Sequence, residues 1–194
     1  MMAKVLAVVA CLALAAPALA WQPPSVEYSA DSLMETAGEA IKGRVHRAHG
    51  RERREISQGG EKVIMIMRED KKVAWTVMPE ERMYMEMKLD QARGKDDLSA
   101  YKIEQTTVGQ EAVNGVNTIK SKVVMTDSKG GKMGGFWWTT KEGIVVKMDV
   151  LAIEKGSKDR IKMDLTNLKI GKQDPKLFEV PAGYTKMSMP GFGQ

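Results

Sequence analysis

The chain has 194 residues, 43% of them hydrophobic, and a formal charge of +5, so it can bury one sizeable core. Acidic and basic residues are interspersed, which reads as a solvated surface rather than one built for a polyanion. The only cysteine is Cys11, near the start, so disulfides, thiol nucleophiles and cysteine-ligated metal centres are excluded from everything after it.

Residues 1–20, MMAKVLAVVACLALAAPALA, carry Lys4, an apolar run from Val5 to Leu19, and Ala18-Leu19-Ala20 at the end. That is the pattern of a cleaved secretory signal peptide. The run is shorter than the ~20 apolar residues a membrane-spanning helix needs. Val8-Val9-Ala10-Cys11 loosely resembles a lipoprotein cleavage site, but the apolar run continues past Cys11, which argues against a lipid anchor there. The expectation is export to the periplasm and one β domain over residues 21–194.

From Val26 onward, apolar residues alternate or form short runs between turn residues, the pattern of strands. Segment 25–35 enters the first strand. Segments 40–50 and 51–57 form a hairpin about His49-Gly50. Gly59-Gly60 leads into 61–67, Arg68–Lys71 into 72–78, and Pro79-Glu80-Glu81 into 82–89. The polar stretch 90–100 has room for a short helix. Residues 101–115 and 116–128 pair through Asn114-Gly115, a strong hairpin turn. Gly130-Gly131 and Gly134-Gly135 are expected to flank the next turn, before Phe136-Trp137-Trp138. Strands follow at 144–154 and 160–170. In the second, Leu168 and Ile170 leave the parity of Ile161, Met163 and Leu165, which predicts a bulge near Asn167. The fold class is mainly β: roughly ten strands in a single curled antiparallel sheet, a half-open β-barrel, with one or two short helices.

Methionine recurs where valine or isoleucine makes a tighter strand. In RMYMEMKL (82–89), Met83, Met85 and Met87 share one face with Leu89. Methionine is unbranched and polarizable, fills irregular space and adapts to different guests. Met65, Met67, Trp75, Met83, Met85, Met87, Trp138, Met148 and Met163 are therefore candidate wall residues of a concave face that binds lipid acyl chains or another apolar ligand. KVIMIM (62–67) is apolar on both sides, so the facing of Met65 and Met67 stays open. Two other readings stand beside this one. The methionines could pack the sealed core of a structural or interaction protein of the cell envelope, or their thioethers could hold Cu(I), as in a metal chaperone.

Nothing in the sequence marks an enzyme or a cofactor site. His46 and His49, the only histidines, fall on opposite faces of a continuous strand and lack an obvious third ligand. Ser99-Ala100-Tyr101-Lys102 matches S-x-x-K without its partner motifs, and no G-x-S-x-G, P-loop or G-x-G-x-x-G occurs. The basic run RVHRAHGRERRE (44–55) has too few aromatics for a nucleic-acid platform, although it could favour an anionic membrane surface or a membrane partner. Alternation sends Trp137 to the opposite face from Phe136 and Trp138.

The order WTVMPEERMYMEM (75–87), FWW (136–138), EGIVVKMDV (142–150) and RIKMDLTNLKIGKQDPKLFEVPAGYTKM (160–187) resembles an uncharacterised family of secreted bacterial proteins. That family is related in fold to the periplasmic carrier and outer-membrane receptor that sort lipoproteins. DPKLFEVPAGY (174–184) is its most specific part. The resemblance implies a half-open antiparallel barrel, a small helical lid and an apolar hollow for acyl chains. The pairing of a proline turn with an aromatic in 174–184 suggests a closing strand and corner, with Phe178 and Val180 tucked inward. The carriers use a lid-gating arginine, and no particular arginine of this sequence is matched to it.

Overall fold

The structure, a computed structural model, describes residues 22–92, 98, 101–154 and 157–187. The expected signal segment with Cys11, Ser99 and the tail 188–194 lie outside them. The strands are β1 (Tyr28–Thr36), β2 (Glu39–Ala48), β3 (Arg51–Gln58), β4 (Glu61–Arg68), β5 (Val73–Met78), β6 (Met83–Lys88), β7 (Lys102–Val113), β8 (Val116–Thr126), β9 (Lys132–Thr139), β10 (Val145–Glu154), β11 (Ser157–Ile170) and β12 (Thr185–Met187). A single helical turn, α1 (Leu89–Ala92), follows β6, and a 3-10 turn spans Pro175–Phe178. The described strands number twelve rather than about ten. They form one open sheet in the order β12-β6-β5-β4-β3-β2-β1-β11-β10-β9-β8-β7.

Short turns explain the ladder. Asn114 and Gly115 adopt φ of 51° and 79°, the paired left-handed conformation that a two-residue hairpin requires and that Asn-Gly tolerates. Asn167 also has positive φ, 51°. The β1–β11 register slips there, between Ser29 and Asp31, so the expected bulge is present. Gly134 and Gly135, by contrast, lie inside β9. The turn is made earlier, where Asp127 accepts from the amides of Lys129 and Gly131. One strand pair is not antiparallel: β12 runs parallel to β6, because the chain crosses the sheet before it reaches that edge.

The connection from β6 to β7 forces the sheet to curl. Ten inter-strand gaps separate these strands, about 48 Å if the sheet were flat. The link from Lys88 to Lys102, with α1 at its start, reaches no more than about 41 Å. The side toward which the sheet rolls follows from its contacts. Leu98 and Tyr101 pack against a core of Val123, Met125, Trp137 and Val150, so that side is concave.

A second core lies on the other side of β4 and β5, where Ile64, Ile66, Trp75 and Val77 close around Phe178. A third, around Tyr28, Ala30, Val45, Val146 and Leu165, joins the two halves and takes in Trp138 and Ile144 from the end of the β9–β10 hairpin. The segment carrying Phe178 is a strap over the convex side. Asp174 caps its 3-10 turn by accepting from the Lys176 amide at 2.9 Å. Arg53 donates to the Leu177 carbonyl at 3.1 Å and Arg68 to the Phe178 carbonyl at 3.0 Å. Phe178 is fully buried and Val180 and Tyr184 pack beside it, so these side chains are tucked away as expected, but against the convex side and from a 3-10 turn rather than a closing strand.

At Gly135 an added Cβ would lie 2.2 Å from the Asp149 carbonyl oxygen, whereas at Gly134 it would meet only the Val123 oxygen, at 3.5 Å. Gly135→Ala is therefore expected to cost about 1–3 kcal/mol, because a backbone cannot yield as a side chain does. Gly134→Ala is expected to stay within about 0.5 kcal/mol of the parent. Urea midpoints of the two variants check this, and equal midpoints would contradict it.

Candidate functional site: a methionine-lined concave face

Residues directly opposite each other in neighbouring strands share a face, so the register assigns every strand methionine a side. Met83, Met85 and Met87 of β6 lie opposite Met78, Thr76 and Ala74 of β5. Thr76 and Ala74 lie opposite Met65 and Met67 of β4. In the other half, Met34, Met163, Met148 and Trp137 form one row across β1, β11, β10 and β9. Met125 and Met133 pair in β8 and β9, and Met187 lies beside Met85. The register joins both sets through β2 and β3. All twelve methionines of the described residues thus point to one side of the sheet, and it is the concave side, since it carries Met125 and Trp137 under Leu98 and Tyr101.

The two halves of this face differ. Across β7–β11 it is filled, with Val123, Met125 and Trp137 fully buried. Across β4–β6 it is not. Met65, Met67, Met78, Met85 and Met87 are half-buried, and Met83 and Met187 are 36% and 40% exposed. None of these seven belongs to the three cores.

Between the halves runs a charged stripe. Glu52 is buried and takes Arg47 on one carboxylate oxygen at 2.7 Å and Arg54 on the other at 2.5 Å. Burial and the nearby Glu52 carboxylate push the Tyr28 hydroxyl up to about 12, so it stays protonated at neutral pH. This stripe separates a dry, packed end of the trough from an apolar end that meets solvent.

Of the nine residues expected to line the wall, Met65, Met67, Met83, Met85, Met87, Met148 and Met163 share the concave face. Trp75 and Trp138 do not. Trp75 pairs with Ile66 and Glu86, packs beneath the strap and donates its indole N–H to Glu86 at 2.8 Å. Trp138 pairs with Lys120 and Lys147, whose ammonium groups lie 4.9 and 5.1 Å from its ring centre. Each is one residue out of phase with its neighbouring wall position, and alternation sends it to the convex side. Sequence reasoning missed Met34, Met78, Met125, Met133, Met187 and Trp137 as members of the same face. Parity within each strand was legible for them, but the pairing that relates one strand to the next was not.

The histidines stay apart from any metal-like grouping. His46 bonds Gln173 at 2.9 Å and His49 is exposed in a turn. Among the described residues, no set of three or more His, Cys, Asp or Glu side chains could hold a metal ion. No described helix is long and apolar enough to cross a membrane. One recess, of about 270 Å³, is lined by Glu35, Thr36, Gly38, Glu39, Ala40, Arg160 and Lys162. Four of its seven lining residues are charged and none is a methionine. The part-exposed methionines of β4–β6 do not line it.

These features define a class: an open, curled, mainly antiparallel sheet whose concave side carries the methionines and whose convex side is strapped by the C-terminal segment. Within it, the chain belongs to the DUF4412 family, a domain of unknown function, whose sequence profile matches residues 40–145, from β2 to the start of β10. No curated protein matches the sequence. Among solved structures, an uncharacterized conserved protein from Thermus thermophilus is similar, with a TM-score of 0.58 and 11% identity, over 84% of this chain and 90% of that one. MucB, also solved with MucA from Pseudomonas aeruginosa, has a TM-score of 0.51 and 14% identity over 83% of this chain. The chain spans only 59% of MucB. An outer-membrane lipoprotein-sorting domain from Vibrio parahaemolyticus lies further off, with a TM-score of 0.34 and 10% identity over 78% of this chain and 89% of that one. At these identities the likeness is one of fold.

Proposed function

We propose that this protein is a non-enzymatic binding protein of the bacterial envelope, exported by residues 1–20, that holds an apolar chain such as a lipid acyl group against the methionines of β4–β6. The observation that carries this reading is the gathering of every described methionine on the concave side, with the β4–β6 group half-open and outside the cores. Thioether side chains can repack around a flexible guest. Burial of acyl surface there would contribute roughly 25 cal/mol per Å² before ordering costs. The likeness of fold to MucB, which has been solved in complex with MucA(peri), fits a binding role and leaves the ligand open.

A second reading has its own support. The packed end beneath Leu98 and Tyr101 fits a structural envelope protein whose methionines fill space and bind nothing. Mass spectrometry of lipid co-purifying with the protein separates the two, together with titration of a fluorescent fatty acid. The triple variant Met83→Gln, Met85→Gln, Met87→Gln keeps side-chain length and adds polarity. It is expected to weaken the probe by about tenfold or more. Absence of lipid and of probe binding in the parent protein would favour the structural reading.

A further inference from the structure

The convex face of β8–β11 has a composition unlike the rest of the molecule. Register puts Lys120 and Lys122 of β8, Lys132 of β9, Lys147 of β10 and three basic residues of β11, from Lys158 to Lys162, on this side. Lys169, further along β11, joins them, and only Asp149 and Asp164 oppose them there, so four strands carry eight basic and two acidic side chains. Acids return at the margins, with Glu35 near Lys162 and Glu111 near Lys120. The chain as a whole has a formal charge of +5, so this face holds a larger excess than the entire sequence.

The same face also exposes apolar side chains. Val124, Phe136, Leu151 and Ile153 are 38%, 38%, 37% and 54% exposed, four of the eight large exposed hydrophobic residues described. They are contiguous. Val124 and Leu151 flank Gly134, and Phe136 lies two residues along the same strand. Gly134 leaves a gap between them that its backbone does not need, since a Cβ there meets nothing closer than 3.5 Å.

A basic face without apolar groups is adequately explained by solvation, and an apolar patch without charge by protein contact. Interleaving the two suits the headgroup boundary of a bilayer. Lysine stems lie along apolar surface while their ammonium groups reach lipid phosphates, and aromatic and aliphatic side chains enter the acyl boundary. Seven of the eight bases are lysine, which meets phosphate as a point charge and lacks the planar fork that favours carboxylates on a protein partner.

We propose that the convex face of β8–β11 docks on an anionic membrane surface, with its lysines at the lipid phosphates and Phe136, Leu151 and Ile153 in the headgroup–acyl boundary. The site is on the opposite side of the sheet from the methionine trough and stands independently of it.

The test is co-sedimentation of the purified protein with phosphatidylcholine vesicles, with and without phosphatidylglycerol, at low and high salt. Binding is expected only with phosphatidylglycerol, and it is expected to weaken steeply as salt is added. Lys122→Glu with Lys132→Glu is expected to weaken it by at least about tenfold. Gly134→Glu, which introduces an acid where there is room for it, is expected to weaken it too, with an unchanged urea midpoint. No binding to phosphatidylglycerol vesicles, equal binding to pure phosphatidylcholine, or binding indifferent to the Lys122 and Lys132 changes would overturn the proposal. Capture of an acidic protein in place of vesicles would also overturn it and reassign the face.

Discussion

Phe178→Ala is expected to lower the free energy of unfolding by about 3–5 kcal/mol, the range for emptying a fully buried aromatic site. Phe178 has no exposed surface and is enclosed by Ile64, Ile66, Trp75 and Val77. These four belong to β4 and β5, whose convex side would otherwise face water. The ring therefore does two things: it fills that core and it anchors the strap. Once it is removed, the 3-10 turn keeps its Asp174 cap but loses the contact that holds it down. The three-residue β12 is too short to hold the edge by itself. The expected readouts are a lower urea midpoint, a red shift of Trp75 fluorescence, and proteolytic cleavage between Gly171 and Thr185 under conditions where the parent resists. A loss below about 1 kcal/mol would mean that the cavity collapses without cost and that the strap is held by its polar contacts.

Arg68→Ala tests those polar contacts. Arg68 is 4% exposed. It donates to both oxygens of Asp70 at 2.7 Å, to the Phe178 carbonyl at 3.0 Å, and to Glu179. Lys71 holds the second Glu179 oxygen at 2.9 Å. Truncation strands a buried carbonyl and removes the shared cation. The expected cost is about 2–4 kcal/mol, below that of a wholly buried pair because both carboxylates are nearly half exposed.

The same cluster predicts a dependence on pH. The Arg68 guanidinium holds Asp70 down to about 2. Glu179 is raised by burial, but hydrogen bonds from Lys71 and Arg68 outweigh that and leave it below its ordinary value. Both folded values lie below the unfolded ones, so the contribution is fully present above about pH 4.5 and is lost as pH falls toward 2. The parent is accordingly expected to lose more stability than Arg68→Ala over that interval, so that their urea midpoints converge in acid. Parallel curves would mean that the ion pairs add nothing beyond the carbonyl contact.

Much of the fold was legible from local pattern. Turn residues at 49–50, 59–60 and 114–115 marked the hairpins, because glycine and asparagine accept backbone angles that other residues resist. The parity break after Leu165 marked the bulge that Asn167 makes. DPKLFEVPAGY marked Phe178 as buried, but a closing strand was expected there and not a strap across the convex side. Gly134-Gly135 misled, since a glycine inside a strand can mark a close approach of backbones as well as a turn. Gly135 is such a place.

The sequence by itself determined which residues alternate within each strand, where the strands end, and that methionine is unusually frequent among the apolar positions. Only the tertiary structure decided that β1 joins β11 at the centre of the sheet, that β12 lies parallel on β6, and that Met65 and Met67 face the same way as Met83 while Trp75 and Trp138 face the other. A period of two separates the faces of one strand but does not relate them to those of the next. That relation comes from the hydrogen-bond register between strands, and which side is concave comes from the route of the β6–β7 connection, whose length is too short for a flat sheet.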